Sequence, residues 1–216
     1  MKIKFLGHAS FLITSDSGTR IVTDPYVVGG PLTYKPISET ADIVTVSHGH
    51  GDHSNAGAVK GSPVVIKAPG KTEAKGIPFS GLATFHDQSQ GKERGANIVF
   101  CFTVDGVKVC HVGDLGHQLS VEQAAEVGTP DLLLLVIGGN YAIGPAEATK
   151  VAQQLKPKVI IPMHYRNEAC GYPIAPVEDF LKDKKNVKRM NSSELALDAK
   201  KLPSDEIVVL KPAMAT

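Results

Sequence analysis

The sequence predicts a mixed α/β fold in which two β-sheets pack together with helices outside. Two observations carry this prediction: the first half of the 216 residues consists of short β-rich segments, and the second half alternates strands with helices. A third observation concerns function, because a block of histidines directly follows one predicted buried strand. The sequence shows no strict repeat and no linker-like composition, so we expect residues 1–216 to form a single domain.

The strands of the first half are predicted from apolar and β-branched residues that lie between turn residues. They cover residues 2–6, 10–14, 19–23, 42–47, 64–67 and 82–85, followed by a hairpin of 98–104 and 107–112. Asp105-Gly106 is a two-residue hairpin signal, and counting outward from it places Cys101 opposite Cys110. We expect two small buried thiols in a reducing compartment there rather than a disulfide.

The second half carries clear helix signals. Ser120-Val121-Glu122-Gln123 is a capping box that opens a short helix ending at Gly128. Pro145 suits the first turn of a helix that runs to about residue 155, and another helix is predicted near 177–182. The apolar run 132–137 predicts a strand buried on both faces, and strands at 158–162 and 206–210 complete the pattern.

Composition disfavours several classes of partner. The chain carries 23 basic and 22 acidic side chains, whereas a dedicated nucleic-acid-binding domain shows a strong basic excess. The N-terminal apolar stretch is too short for a signal-peptide core, and the run 132–137 is far below the ~20 residues that span a bilayer. We therefore expect a cytoplasmic protein with a small-molecule substrate and no nucleic-acid or membrane partner. The sequence is also compatible with a homo-oligomer.

His48-Gly49-His50-Gly51-Asp52-His53 is the most informative motif of the chain. In extended backbone, residues i and i+2 point to one side, so His48 and His50 can bind one ion together. The two glycines are expected to allow a tight backbone around it, and after a bend Asp52 and His53 can reach a second ion. Imidazoles and a carboxylate suit Zn²⁺, and also Mn²⁺ or Fe²⁺. A histidine-rich surface loop is the alternative, and the preceding buried strand argues against it.

Three further candidate ligands stand at the ends of predicted strands: His86, Asp114 and His164. Taken singly, each could be an isolated surface or core residue. Together they supply a third histidine for the first ion, a bridging carboxylate and a third ligand for the second ion. His111 also lies between the motif and the late histidine, but it is too near Asp114 on the same strand to act independently. His86 is therefore preferred.

The order of these motifs resembles the metallo-β-lactamase superfamily over essentially the whole chain. The similarity is greatest to its small metal-dependent hydrolases, the subgroup that includes the ascorbate-6-phosphate lactonase-like (UlaG-like) proteins. It rests on Phe-Leu-Gly-His-Ala-Ser-Phe-Leu at 5–12, Thr23-Asp24-Pro25, Gly113-Asp114-Leu115-Gly116, Ile137-Gly138-Gly139-Asn140 and Pro162-Met163-His164-Tyr165. The resemblance implies a four-layer αββα sandwich with the site at one edge. One metal would be held by His48, His50 and His86. A second would be held by Asp52, His53 and His164, with Asp114 as the bridge.

Four other residues are candidates for supporting roles. The resemblance implies that Asp24 hydrogen-bonds a ligand histidine from behind, although an Asp before Pro also forms turns. His8 either lines the site or is a satisfied buried histidine. Asn140 and Tyr165 follow strand ends on the same predicted edge and are candidates for positioning substrate. His117 is expected to be a solvated residue ahead of a helix.

The predicted chemistry is hydrolysis. Two metals that share Asp114 would lower the pKa of a bridging water enough to give hydroxide near neutral pH. This hydroxide would attack a carbonyl carbon or a phosphorus, with Asp52 as the proton acceptor. We therefore expect a metal-dependent hydrolase that acts on a small ester, lactone or phosphorylated molecule. The loops at 25–40, 87–95 and 165–173 are expected to select the substrate.

Other functions on the same scaffold stay open at this point. A phosphodiesterase or nuclease would need a basic groove, for which the run 182–189 is the best support, although a solvated helix end explains that run equally well. The complete ligand set disfavours a non-catalytic metal-dependent ligand-binding protein. A di-iron redox enzyme is disfavoured because His50 occupies a position that is acidic in that group. A β-lactamase proper would normally be exported.

Overall fold

The computed structural model describes residues 1–214 of the chain, which contain fourteen strands, three α-helices and a 3₁₀ turn. The strands are β1 (Lys2–Gly7), β2 (Ser10–Thr14), β3 (Arg20–Thr23), β4 (Ile43–Thr45), β5 (Val64–Ile66), β6 (Gly70–Ala74), β7 (Ile77–Phe85), β8 (Ala96–Val104), β9 (Val107–His111), β10 (Leu132–Val136), β11 (Val159–Met163), β12 (Val187–Arg189), β13 (Glu194–Ala196) and β14 (Glu206–Val209). The helices are α1 (Val121–Val127), α2 (Pro145–Leu155) and α3 (Val177–Leu181), and the 3₁₀ turn covers Ala56–Ala58.

The strands form two mixed sheets. The first sheet has the order β13-β1-β2-β3-β4-β5, and the second has the order β12-β14-β11-β10-β9-β8-β7-β6. Each sheet combines an antiparallel part with a parallel part, β3-β4-β5 in the first and β9-β10-β11-β14-β12 in the second. The predicted mixed α/β sandwich is confirmed.

Both faces of the first sheet are buried, as the alternation of side chains along its strands requires. Phe11, Ile13 and Ile43 face the core that joins the two sheets. Their neighbours Leu12 and Val44 face the opposite way, into a second cluster covered by the segment between β3 and β4. The outer layer on this side is therefore loop and 3₁₀ turn, where the αββα description places α-helices.

The α-helices belong to the second sheet. α2 contacts α1, α3 and β10, and its residue Val151 is fully buried in the core. α1 begins at the predicted capping box, because the Ser120 hydroxyl accepts the Gln123 N–H while the Gln123 side chain accepts the Ser120 N–H. α2 begins at Pro145, as predicted. Within residues 1–214, no helix is long and apolar enough to cross a membrane.

The differences from the sequence prediction concern short or exposed segments. β6, β12 and β13 have no predicted counterpart, because they are short and largely exposed and so lack an apolar repeat. β7 begins at Ile77 rather than near residue 82, because pairing with β6 extends it. The basic run 182–189 is a helix end only where it begins: Lys182 caps α3, and Val187–Arg189 form β12, which pairs in parallel with β14. As predicted, Cys101 faces Cys110 across the hairpin, and both thiols are free.

Candidate metal centre

The candidate residues meet where strand ends of both sheets come together. In the first sheet, β1, β3 and β4 run in one direction, and their carboxyl ends lead into His8, Asp24 and the motif at 48–53. In the second sheet, β7, β9, β10 and β11 also share a direction, and their carboxyl ends lead into His86, Asp114, Asn140 and His164. Ligand sites commonly form at such edges, because loops that follow strands of one direction converge there.

Two clusters of potential metal ligands lie side by side at this edge. The first consists of His48, His50 and His86, and the second of His8, Asp52, His53 and His164. Within each cluster, one nitrogen or carboxylate oxygen from every residue lies within 4.8 Å of the others. The ring centroids of His48 and His53 are 4.3 Å apart, so the clusters are in contact.

Asp114 lies between the two clusters. Its Oδ2 is 3.2 Å from His86 Nε2 and 3.3 Å from His164 Nε2, while its Oδ1 is 3.3 Å from His53 Nε2. The backbone N–H of Asp114 donates to the side-chain oxygen of the buried Asn97 at 2.9 Å, which fixes the start of this loop. One buried carboxylate therefore contacts members of both clusters, as a bridging ligand must.

Several buried polar atoms of these residues have no hydrogen-bond partner within residues 1–214. They include His48 Nε2, His53 Nε2, His86 Nδ1, Asp114 Oδ1 and His164 Nδ1. A buried polar atom left without a partner is destabilising by about 1–3 kcal/mol, so such a concentration needs an explanation. Imidazole nitrogens with carboxylate oxygens are the donor set of divalent transition metals. The residues present therefore fit a metal centre better than an ordinary core.

Most of the protonation states suit metal binding, and His53 is the exception. Burial, followed by the neighbouring His53, lowers the pKa of His48 to about 3, and burial with His86 lowers the pKa of His50. Burial opposes ionisation of Asp114, but His164 and His53 hold its pKa well below the usual range. Burial likewise opposes a charge on His53, yet Asp114 and other carboxylate contacts raise its pKa well above the ordinary value. Neutral imidazoles and ionised carboxylates are the forms that ligate metals, so His48, His50 and Asp114 are already in that form, whereas a metal ion at His53 would displace the ring proton.

Asp24 holds two of the histidines from behind. Its Oδ2 accepts a hydrogen bond from His53 Nδ1 at 2.8 Å, and its Oδ1 accepts the Ser47 N–H at 2.8 Å. The Ser47 hydroxyl donates to Asp24 and lies 2.9 Å from His48 Nδ1. Both imidazoles are therefore engaged through Nδ1, which leaves their Nε2 atoms for the cluster. A carboxylate behind an imidazole orients the ring and raises its basicity as a ligand.

We expect Asp24→Asn to weaken metal binding by about 10- to 100-fold, because loss of a partner behind a ligand histidine has effects of this size. Competition with a chromophoric chelator measures the affinity. Asp42→Asn is the matched control, since Asp42 precedes β4 at the opposite end of that strand and accepts the Arg20 N–H. Equal affinities of the two variants would contradict a supporting role for Asp24.

His8 occupies the second cluster. Its Nε2 is 3.1 Å from Asp52 Oδ2, its ring centroid is 4.0 Å from that of His164, and its Nδ1 is 3.8 Å from the Cys170 sulfur. Burial, followed by His164, lowers the pKa of His8 to about 3. Burial opposes ionisation of Asp52, but the hydrogen bond from His8 and the charge of His53 hold its pKa below the usual value. A neutral His8 that donates to Asp52 fixes the orientation of this carboxylate.

Two glycines let the strand ends approach each other. A Cβ at Gly116 would lie 2.1 Å from the Asp87 nitrogen, and a Cβ at Gly138 would lie 2.3 Å from the His164 carbonyl oxygen. No side chain fits at such distances. The close packing around His86 and His164 therefore requires glycine at both positions.

The glycines inside the histidine motif behave differently. A Cβ at Gly49 would meet nothing within 4 Å, and one at Gly51 would meet only the Val27 side chain, at 4.0 Å. Neither has a positive φ. The expectation that these two glycines provide a tight backbone around the ion is therefore wrong.

Four of the ten non-glycine residues with positive φ in residues 1–214 lie at this edge. His8, Asp24, Asn140 and His164 have φ values of 55°, 36°, 62° and 53°, in the left-handed region that residues with side chains rarely adopt. Such conformations are unfavourable by about 1–3 kcal/mol each and cluster at functional sites. At His164, this conformation also determines which way the following residue points.

His111 and His117 stand outside the clusters. His111 is a satisfied core histidine, because its Nε2 donates to the Ala9 carbonyl at 2.9 Å and its Nδ1 accepts the Gly113 N–H at 3.1 Å. His117 is half-buried rather than solvated, and its Nε2 accepts the Phe85 N–H at 3.2 Å.

Tyr165 and Asn140 do not bring their side chains to the clusters. Tyr165 is buried in the core, with its ring centroid 6.4 Å from that of Phe5, because it follows the left-handed His164 and turns inward. Asn140 is exposed, and its carbonyl accepts a hydrogen bond from Arg94 at 3.4 Å. Tyr172 stands near the clusters instead, with its ring centroid 5.8 Å from that of His8.

Three neighbours of the site were not singled out from the sequence: Ser47, Asn97 and Tyr172. Ser47 carries a local signal, since it stands between the buried strand and the first motif histidine. Tyr172 belongs to the loop expected to select substrate. Asn97 is a buried amide near the start of β8, and nothing in its local sequence indicates that it contacts the segment that carries Asp114.

Comparison with known proteins agrees with this geometry. The sequence profile described as the beta-lactamase superfamily domain matches residues 2–164. The UPF0173 metal-dependent hydrolase of Thermococcus onnurineus is 34% identical over 191 residues, covering 76% of this chain and 84% of the relative. That of Archaeoglobus fulgidus is 32% identical over 244 aligned positions, covering 98% and 96%.

A solved structure extends the similarity to three dimensions. The crystal structure of a Thermotoga maritima protein, named as a Zn-dependent hydrolase of the metallo-β-lactamase superfamily, superimposes with a TM-score of 0.80. The two sequences are 42% identical, and the match covers 97% of each chain. The chain described here therefore belongs to the metallo-β-lactamase superfamily and is one of its metal-dependent hydrolases.

Proposed function

We propose that the chain is a two-metal hydrolase, with zinc as its ion, that cleaves a small ester, lactone or phosphorylated substrate. The observation that carries the proposal is the position of Asp114 between two ligand clusters. His48, His50 and His86 would hold one ion. Asp52, His53 and His164 would hold the other, with Asp114 as the shared ligand. This ligand order is the one that the resemblance to the ascorbate-6-phosphate lactonase-like subgroup implies.

Two bound divalent ions would supply a nucleophilic water at neutral pH and polarise the bond to be cleaved. The residues of the chain contribute orientation and proton transfer. Asp52 is the more accessible carboxylate of the site, with its side chain 19% exposed against 3% for Asp114. This accessibility supports Asp52 as the acceptor of the proton of the attacking water, while His8 holds its Oδ2. Asp24 keeps His53 oriented throughout.

The surroundings of the clusters favour a small substrate. The loop after β3 lies against the histidine motif, because the Val27 N–H donates to the Gly51 carbonyl at 2.9 Å. Val27 and Val28 are 50% and 38% exposed, so this loop offers an apolar rim beside the ligands. An apolar rim beside a few polar groups is typical of sites that bind small molecules.

Metal content tests the proposal directly. Protein prepared in metal-replete, chelator-free conditions should contain close to two transition-metal ions per chain by elemental analysis, and His48→Ala should contain fewer. His117→Gln is the matched control, because His117 is a histidine outside both clusters. A wild-type protein without bound metal would overturn the site assignment.

Turnover tests the reaction. Hydrolysis of lactone, carboxyl-ester and phosphodiester test substrates should depend on metal and be lost in His48→Ala. Hydrolysis of the phosphodiester alone would replace the proposal with a phosphodiesterase. Full metal content without hydrolysis of any of the three would exclude the proposed substrate range.

A further inference from the structure

Three side chains form a wall beside the second ligand cluster: Arg94, Tyr141 and Tyr172. They lie on the loops that follow β7, β10 and β11. The Arg94 guanidinium carbon is 4.8 Å from the Tyr141 ring centroid, and the Tyr141 and Tyr172 rings meet edge to face with centroids 5.6 Å apart. The Tyr172 ring in turn is 5.8 Å from that of His8. The wall therefore leads from the metal ligands to a guanidinium group.

Arg94 has no acidic partner in the part of the chain that the structure describes. No carboxylate oxygen of residues 1–214 lies within 4.0 Å of its guanidinium, although other basic residues form such pairs. Its side-chain hydrogen bond is a long one to the Asn140 carbonyl, at 3.4 Å. A guanidinium carries five N–H donors, so most of the hydrogen-bonding capacity of this half-buried group is free.

The loop that carries Arg94 is held in place by one carboxylate. Asp87, directly after His86, accepts backbone N–H groups from Ser89 at 2.7 Å, Gly91 at 2.8 Å, Glu93 at 3.0 Å and Arg94 at 2.8 Å. These four hydrogen bonds tie residues 89–94 to a single side chain. Arg94 is therefore presented on a preorganised loop, which reduces the entropy lost when it binds a ligand.

The two tyrosines are suited to contact the uncharged part of a ligand. Both are half-buried, so one part of each ring packs on the protein and another part faces outward. Burial raises the pKa of Tyr172, and the charge of Asp52 raises it further. The Tyr172 hydroxyl therefore stays neutral near pH 7. A neutral, rigid aromatic surface between the metal ligands and a free guanidinium is a recognition surface for a molecule with an anionic end.

We propose that Arg94 binds a negatively charged group of the substrate, a carboxylate or a phosphate that is remote from the bond that is cleaved. Tyr141 and Tyr172 would contact the part of the substrate that lies between this charged group and the cleaved bond. This proposal rests on the proposed function and adds a substrate class to it. Both anions match the planar fork of arginine, which binds them through paired N–H donors. The alternative role of Arg94 is to hold the Tyr141 ring in position without contacting the substrate. The experiments below distinguish substrate binding from this structural role.

A pair of matched esters tests the selectivity. 4-Nitrophenyl hexanoate and the mono-4-nitrophenyl ester of adipate share a six-carbon acyl chain, and only the second ends in a carboxylate. In Arg94→Met, the ratio of kcat/KM for the charged ester to that for the neutral ester should fall about 10- to 100-fold, mainly through KM, since a charge-assisted hydrogen bond is lost. Arg94→Lys should recover part of the ratio. Lys92→Met, which removes an exposed cation from the same loop, should leave the ratio unchanged.

Binding without turnover is the second readout. Calorimetric titration of the zinc-loaded wild type and Arg94→Met with benzoate, phenyl phosphate and benzyl alcohol compares one ring with a carboxylate, a phosphate or no charge. We expect Arg94→Met to bind at least one of the two anions more weakly than the wild type and to bind benzyl alcohol equally well. The anion whose affinity falls more indicates whether the charged group of the substrate is a carboxylate or a phosphate.

The outcomes separate the two proposals. An equal loss on both esters in folded Arg94→Met, or no change in the affinity of either anion, would make Arg94 a structural brace and overturn this inference. If the wild type hydrolyses neither ester in a metal-dependent manner, the proposed function loses its ester substrates. The titrations still decide the role of Arg94 in that case.

Discussion

Asp114→Asn is expected to lower kcat/KM by about 1,000-fold or more and to reduce the metal content of the protein. Asp114 contacts histidines of both clusters, so its substitution weakens both ion sites at once. Asparagine keeps the shape of the side chain but removes the charge and replaces one carboxylate oxygen with an amide nitrogen. Bound metals contribute several kcal/mol of transition-state stabilisation, and about 4 kcal/mol corresponds to a 1,000-fold rate change.

Steady-state kinetics together with elemental analysis measure this effect. Asp42→Asn provides the same chemical change outside the site and should keep the wild-type rate and metal content. Circular dichroism checks that Asp114→Asn is folded. A folded Asp114→Asn protein that holds two ions and retains a tenth of the wild-type kcat/KM would rule out a bridging role.

Gly116→Ala is expected to destabilise the fold by about 3 kcal/mol or more and to displace His86. The added Cβ would lie 2.1 Å from the Asp87 nitrogen and 2.2 Å from the His86 carbonyl carbon, and both are backbone atoms. The Gly116 N–H also donates to the Phe85 carbonyl at 2.9 Å, so this contact holds the end of β7 in place. Overpacking is typically destabilising by about 1–3 kcal/mol, and more when backbone must move.

Urea denaturation gives the free energy of unfolding, and elemental analysis reports any loss of the ion that His86 is proposed to hold. Gly49→Ala is the matched control, because a Cβ at Gly49 meets nothing within 4 Å although it stands inside the histidine motif. The control should change stability by no more than about 0.5 kcal/mol. The same urea midpoint for Gly116→Ala and wild type would refute the packing argument.

The ligand residues could be predicted because their signal is local. His48, His50, Asp52 and His53 stand together directly after a buried strand, and His86, Asp114 and His164 each follow a strand end. Strand direction then brings these ends to one edge, so a correct strand assignment was sufficient to expect their meeting. The seven residues do meet there, and their roles as ligands stay proposals for the metal analysis.

The surroundings of the ligands could not be predicted in the same way. Tyr165 and Tyr172 lie in one loop, and only Tyr172 stands beside His8. The difference depends on the left-handed conformation of His164, which nothing in its sequence signals. The need for glycine at Gly116 arises from a contact with residues some thirty positions away, so it too appears only in the folded chain.

The pairing of β13 with β1 has a consequence for synthesis. Lys2, Ile3 and Lys4 pair with Glu194–Ala196, although nearly the whole chain separates the two strands. On the ribosome, that side of β1 lacks its partner until Glu194–Ala196 emerges. An unpaired strand edge is a template for association with other chains, and contacts between distant segments form slowly. The nascent chain is therefore expected to expose an aggregation-prone edge at β1 while the residues between β1 and β13 are being synthesised.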